Sequence, residues 1–88
     1  MISLSYHRRF EKRYMKFNAR ERERCDERLR LFAREPFHPL LYNHPLKGRY
    51  EGYLSISIGG DLRAVYKDIA ENAVLFTHIG THPELYGS

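Results

Sequence analysis

The side chains best suited to moving protons in this sequence are its histidines. There are five in 88 residues, and three of them, His44, His78 and His82, fall from residue 44 onward. Imidazole titrates near pH 6.5, so one such group can take a proton at neutral pH while another gives one. In the same stretch stand Arg63, Asp61, Ser57 and Tyr86. These types suit metal-free acid–base work on a phosphodiester. RNA is cut by its own 2′-OH when a base takes the hydroxyl proton, a cation holds the charge growing on the phosphoryl oxygens, and an acid protonates the departing 5′-oxygen. A fixed guanidinium suits the middle task. Taken singly, each histidine is more often a surface or hydrogen-bonded structural residue, so the set names candidates only.

Other chemistries find less material. No helix carries two histidines at the i, i+4 spacing of a metal site, since His78 and His82, four apart, fall at the end of a strand-like run and the turn after it, and no acidic cluster attends them. The single Cys25 excludes an intramolecular disulfide framework and a cysteine zinc cluster. There is neither a glycine-rich phosphate loop nor a nucleophile elbow. The residues call for no metal and no cofactor.

These side chains need elements to hold them. Residues 2–5 alternate weakly and read as a brief first strand. From Tyr6 the period becomes helical, with Tyr6, Phe10, Tyr14 and Phe17 on one face. Asn18 reads as an N-cap with Glu21 closing a capping box, followed by a helix over Ala19–Arg34 that ends before Pro36 and Pro39. Asp26 with Arg30 and Glu21 with Arg24 have spacings that support it. With so short a link the two helices form an antiparallel hairpin. Residues 36–52 read as a long loop holding His44, and loops of that length often carry function.

Three strands follow: residues 54–58, 62–66 and 73–79, with only a turn expected after them. A three-residue turn at 59–61 pairs Ile56 with Ala64, Ile58 with Leu62 and Ser57 with Arg63. That register keeps Leu54, Ile56, Ile58, Leu62, Ala64 and Tyr66 on one face and leaves Arg63 mid-sheet on the open, polar face with Ser55, Ser57 and Val65. The expected fold is one α+β domain over residues 1–88, a helix hairpin packed on a small, mainly antiparallel sheet of three to four strands.

Charge is unevenly placed. Residues 1–34 hold 11 Lys and Arg against five Asp and Glu, whereas the remainder holds four against six. That concentration points to a polyanionic partner, nucleic acid or an acidic protein, or else to a solvated helix face rich in arginine. No apolar run approaches the roughly 20 residues of a membrane span, and the N-terminus lacks the order of a secretory signal. The chain reads as a complete, soluble, cytoplasmic protein.

Three blocks in order, His44-Pro45-Leu46-Lys47-Gly48, Asp61-Leu62-Arg63-Ala64-Val65-Tyr66 and Gly80-Thr81-His82-Pro83-Glu84-Leu85-Tyr86-Gly87, resemble the RelE/ParE toxin superfamily and within it the YafQ group. The resemblance implies a type II toxin that cuts mRNA in the ribosome's decoding site and is neutralised by a small antitoxin. Position by position it implies catalytic roles for His44, Asp61, Arg63 and His82. His82 would be the acid that protonates the leaving oxygen, and Arg63 the phosphate-stabilising cation. Tyr86 would be a terminal aromatic that stacks on a base. Ser57 and His78 stand where YafQ-like chains have a histidine and an arginine, as substrate-binding positions, and Leu62 replaces a tryptophan. The same fold also serves ParE-like gyrase poisons and non-catalytic members that bind an antitoxin or nucleic acid, and fold alone does not separate them.

Overall fold

The computed structural model describes residues 1–87. The chain runs β1 (Ser3–Tyr6), α1 (Arg8–Met15), α2 (Ala19–Arg34), β2 (His44–Pro45), β3 (Leu54–Gly59), β4 (Leu62–Ala70), β5 (Ala73–Thr81) and α3 (His82–Tyr86). The strands form one sheet in the order β1-β5-β4-β3-β2. Only β1 runs parallel to its neighbour, β5; every other pairing is antiparallel. The α+β class and the helices-on-sheet arrangement agree with the sequence expectation. The sheet has five strands instead of three or four, because His44–Pro45 pairs with Leu54 and Ser55 at one edge.

Helix α2 begins where local chemistry demands. The Asn18 side chain accepts from Glu21 N at 2.8 Å, while the Glu21 carboxylate accepts from Asn18 N at 3.0 Å, so two otherwise unpaired donors are satisfied. Helix α1 is shorter than its apolar spacing suggests. Tyr6 ends β1, His7 caps the helix by accepting from Arg9 N, and Phe17 lies beyond its end. Phe10 and Phe17 are buried and the tyrosines pack against them: Tyr6 meets Phe10 at 5.1 Å and Tyr14 meets Phe17 at 6.3 Å between ring centroids. The expected helix-surface ion pairs do not form. Asp26 accepts from the Tyr14 hydroxyl instead, at 2.8 Å, and the ion pair found among the described residues joins Arg13 to Glu84.

The core fills the space between the helices and one sheet face. Phe10, Phe17, Cys25, Leu29 and Phe32 pack against Ile56, Ile58, Leu62, Ala64, Tyr66, Val74 and Phe76. Burial pushes the Cys25 thiol up to about 12, so it behaves as a small apolar side chain. Pairing of β3 with β4 sets Ser57 opposite Arg63 and Ile56 opposite Ala64, as the alternation requires. At the turn the expected Ile58–Leu62 pair is replaced by Gly59–Leu62, because a bulge beyond Ser57 absorbs one residue. The turn glycines have φ values of 118° and 56°, a region glycine enters without steric cost.

The second sheet face is not simply open. Ser55 and Val65, expected in solvent, are buried. A wall of aromatic rings lies on this side: Tyr50 stands edge-on to His78, Tyr86 and Tyr53 at centroid distances of 5.4, 5.7 and 6.3 Å. The chain end is not a mere turn either. Strand β5 extends to Thr81, and a capping box between Thr81 and Glu84 starts α3.

Candidate functional site

The face opposite the helices gathers polar side chains by register. His44 pairs with Ser55 across β2 and β3, and Ser57 pairs with Arg63 across β3 and β4. Directly opposed residues in antiparallel strands point the same way with Cα atoms about 4.5–5.5 Å apart. Opposite Arg63 on its other side stands Gly80, which adds no side chain over the guanidinium. Two adjoining clefts result. One, of about 400 Å³, is lined by Tyr42, Asn43, His44, Ser57 and Arg63. The other, of about 360 Å³, is lined by His44, Leu46, Ser55, Arg63, His82 and Tyr86. They share His44 and Arg63, which therefore stand at the centre of one composite groove.

The segment before β2 fixes His44. Leu41 is buried in the core, the Asn43 amide donates to the Pro36 carbonyl, and the Tyr66 hydroxyl donates to Asn43 Oδ1, both at 2.8 Å. His44 Nδ1 lies 2.7 Å from the Tyr42 carbonyl oxygen. A carbonyl only accepts, so Nδ1 carries the hydrogen and Nε2 of the neutral ring is left with its lone pair. An imidazole held this way is a ready proton acceptor.

Arg63 is also partly tethered. One amino nitrogen donates to the carbonyls of Gly60 at 3.0 Å and Leu62 at 2.9 Å. A guanidinium has five N–H donors, and those on Nε and the second amino group have no protein partner among the described residues. They remain to grip an anion. Ser57 Oγ accepts from Gly59 N at 3.3 Å, leaving its own hydrogen to donate.

Helix α3 delivers His82 and Tyr86, one turn apart, with ring centroids at 4.8 Å. His82 N donates to the Asp61 carbonyl at 3.0 Å, which ties the helix start to the β3–β4 turn. The Tyr86 hydroxyl donates to Ser55 Oγ at 3.0 Å, and burial raises its pKa even though the neighbouring Ser55 hydroxyl, able to donate to the ionised form, and the Arg63 charge oppose the rise. Glu84 faces the other way, toward α1, where its two oxygens receive Arg13 at 2.9 and 3.1 Å. The Thr81 backbone and Arg13 together hold the Glu84 carboxyl down to about 2.

Of the seven residues singled out from sequence, His44, Ser57, Arg63, His82 and Tyr86 line the groove. Asp61 does not; its exposed side chain lines neither cleft, and only its carbonyl contributes, by anchoring His82. His78 is likewise absent from the lining. Its ring is half-buried against Tyr50, and its Nδ1 donates at 2.9 Å to Thr77 Oγ1, whose own hydrogen goes to the Val65 carbonyl. Burial foremost, then the Arg9 and His7 charges, lower its pKa, which keeps the ring neutral. Tyr42 and Tyr50 went unmarked in the sequence because both lie in the irregular segment, where no periodicity singles out a side chain. Among the described residues no three His, Cys, Asp or Glu side chains group in a way that could hold a metal ion, and no helix is long and apolar enough to cross a membrane.

Comparison with known proteins identifies the family and supports the fold. The sequence profile of the family described as "Bacterial toxin of type II toxin-antitoxin system, YafQ" matches residues 2–87. Among solved structures, YafQ from E. coli strain BL21(DE3) superposes with a TM-score of 0.77 at 22% identity, covering 99% of this chain and 100% of that one. The YoeB/ParE toxin from Agrobacterium tumefaciens gives 0.75 at 26% identity, over 92% of this chain and 99% of that one. The toxin–antitoxin complex DinJ-YafQ from E. coli gives 0.75 at 23% identity, over 98% of each chain. A search of curated protein sequences found no significant match.

Proposed function

This chain belongs to the YafQ family of bacterial type II toxins, and from that premise we propose that it is an endoribonuclease that cuts mRNA on the ribosome, in the cytoplasm, and is held inactive by a cognate antitoxin. The observation that carries the reading is the tautomer of His44. With Nδ1 committed to the Tyr42 carbonyl, Nε2 is left to act as the base in the groove that His44, Arg63 and His82 line.

The steps follow from these positions. His44 Nε2 takes the proton of the ribose 2′-OH as that oxygen attacks the adjacent phosphorus. The free donors of Arg63, with the Ser57 hydroxyl beside them, hold the charge that grows on the non-bridging oxygens. The bond from phosphorus to the 5′-oxygen breaks, and His82 gives that oxygen a proton. The products are a 2′,3′-cyclic phosphate and a 5′-hydroxyl. Tyr86 supplies a ring on which a neighbouring base stacks. Asp61 positions His82 through its backbone, and His78 packs against Tyr50, which in turn packs against Tyr86.

Induction in a test cell decides between this activity and gyrase poisoning on the same fold. Primer extension on a defined message is expected to show new ends within translated sequence, with plasmid supercoiling unchanged. Altered supercoiling with intact messages would refute cleavage.

A further inference from the structure

Among the described residues only two non-glycine residues have positive φ, Tyr42 at 47° and Asn72 at 58°. Asn72 lies in the tight turn between β4 and β5, and asparagine is among the residues that tolerate this region. A tyrosine does not fit so easily, since its Cβ crowds the backbone there. The conformation itself has a local cause: Tyr42 closes the short helical turn Pro39–Leu41, its N–H donating to the Pro39 carbonyl at 3.3 Å. Glycine or asparagine is the usual residue at such a helix end. What needs explaining is the ring.

That ring serves nothing inside the fold. Tyr42 is 75% exposed, and among the described residues its hydroxyl has no hydrogen-bond partner and its ring no aromatic or cationic neighbour. Yet the residue lines the groove with His44, Ser57 and Arg63, on the cleft that His82 and Tyr86 do not reach. A large, strained, solvated aromatic at the rim of a phosphate-binding groove matches how proteins hold single-stranded nucleic acid, by stacking bases on exposed rings.

We propose that Tyr42 is a second base-stacking platform, so that the two nucleotides flanking the scissile phosphate are each held by a tyrosine, Tyr86 on the His82 side and Tyr42 on the other. This rests on the functional reading above. The same left-handed backbone aims the Tyr42 carbonyl at His44, so one residue both sets the base and places the nucleotide bearing the attacking 2′-OH. Asparagine at this position keeps the backbone and its carbonyl while deleting the ring.

The test uses Tyr42→Phe and Tyr42→Asn with ribosome-bound messages. In one arm the message is cleavable, and single-turnover rates are measured against toxin concentration. In the other, a 2′-O-methyl group at the cut site blocks reaction, and 2-aminopurine replaces each flanking base in turn. Tyr42→Asn is expected to raise the half-saturating concentration about tenfold, in line with the loss of one base stack, to abolish fluorescence quenching at one flanking position, and to leave Tm unchanged or higher. Tyr42→Phe is expected to behave as wild type. Wild-type half-saturation and quenching in Tyr42→Asn would overturn the platform, and so would a fall in its Tm large enough to account for the lost binding. Should the wild type fail to cleave, the functional reading fails by itself, and 2-aminopurine placed in turn through the ribosomal A-site codon of an unmodified message still decides the role of Tyr42.

Discussion

Proton traffic in the groove depends on which nitrogen of each imidazole is occupied, and here His44, His78 and His82 part company. His44 has one nitrogen committed to a backbone carbonyl, and His82 has its ring beside that of Tyr86. His78 is enclosed beside Thr77 and Tyr50. Removing a general acid or base typically slows a reaction about 10²–10⁴-fold, so His44→Ala and His82→Ala should each lose that much in single-turnover cleavage. Ser57→Ala should lose far less, because Arg63 remains as the main anion partner. His78 has a different signature. Its pKa in the fold lies below the ordinary 6.5, mainly through burial, whereas the unfolded chain takes up the proton as pH falls through about 6.5. The stability tied to its neutral ring is therefore present above that value and lost as pH drops through the folded pKa. Urea denaturation at pH 7.5 and 5.5 should show this loss in the wild type and a smaller one in His78→Gln; equal losses would argue against a buried neutral ring.

Helix α3 illustrates how an element too short to stand alone can place two functional side chains. Five residues do not hold a helix in water. This one persists because Thr81 and Glu84 cap each other, Leu85 is buried, and Arg13 reaches from α1 to both Glu84 oxygens. Gly80 permits that arrangement, since a Cβ there would stand 3.1 Å from Glu84 Oε1. An ion pair this exposed contributes about 1 kcal/mol or less, so Arg13→Gln should leave the global fold intact, speed amide exchange in α3, and lower cleavage a few-fold. The Glu84 carboxyl, held down to about 2 from an ordinary 4.5, keeps α3 docked above pH 4.5. That docking is lost as pH falls toward 2, a change Glu84→Gln should blunt in the same exchange experiment. Elements differ in how visibly the sequence declares them. Capping of α2 and the Ser57–Arg63 register were legible because each depends on spacing within one element or one hairpin. The start of α1 was misread because the aromatic spacing runs unbroken through His7, although Tyr6 belongs to a strand. Strand β2 and the parallel pairing of β1 depend on partners 11 and about 70 residues away, which local pattern does not reveal. Helix α3 did leave a trace, the Thr81–Glu84 capping pair with Pro83 between, but five residues are too few to show a period. The groove was legible at His44, Arg63, His82 and Tyr86 through their types and motifs. Tyr42 left no such trace, because a strained φ has no signature in a tyrosine.

At the scale of the whole molecule the sheet divides the labour. Its one face, with α1 and α2, holds the core and presents the basic outer surface of residues 1–34; its other face holds the groove. Ribosomal RNA is a polyanion, and association through that surface should weaken steeply with salt. Arg9 and Arg13 are engaged with the Thr77 carbonyl and Glu84, so the charges to reverse are the exposed Arg8, Lys12, Lys16 and Arg20. Their reversal should weaken ribosome binding and flatten its salt dependence while leaving the melting temperature unchanged; an unaltered salt slope would place docking elsewhere. An acidic antitoxin segment would compete for the same charges. The chemistry in the groove is tested most directly by single-turnover cleavage of ribosome-bound mRNA by the wild type and His82→Ala, with the chemistry of both new ends determined. The expected result is a 2′,3′-cyclic phosphate facing a 5′-hydroxyl, formed about 10²–10⁴-fold more slowly by the variant. A 5′-phosphate product, or a His82→Ala variant that cleaves at the wild-type rate, would contradict it.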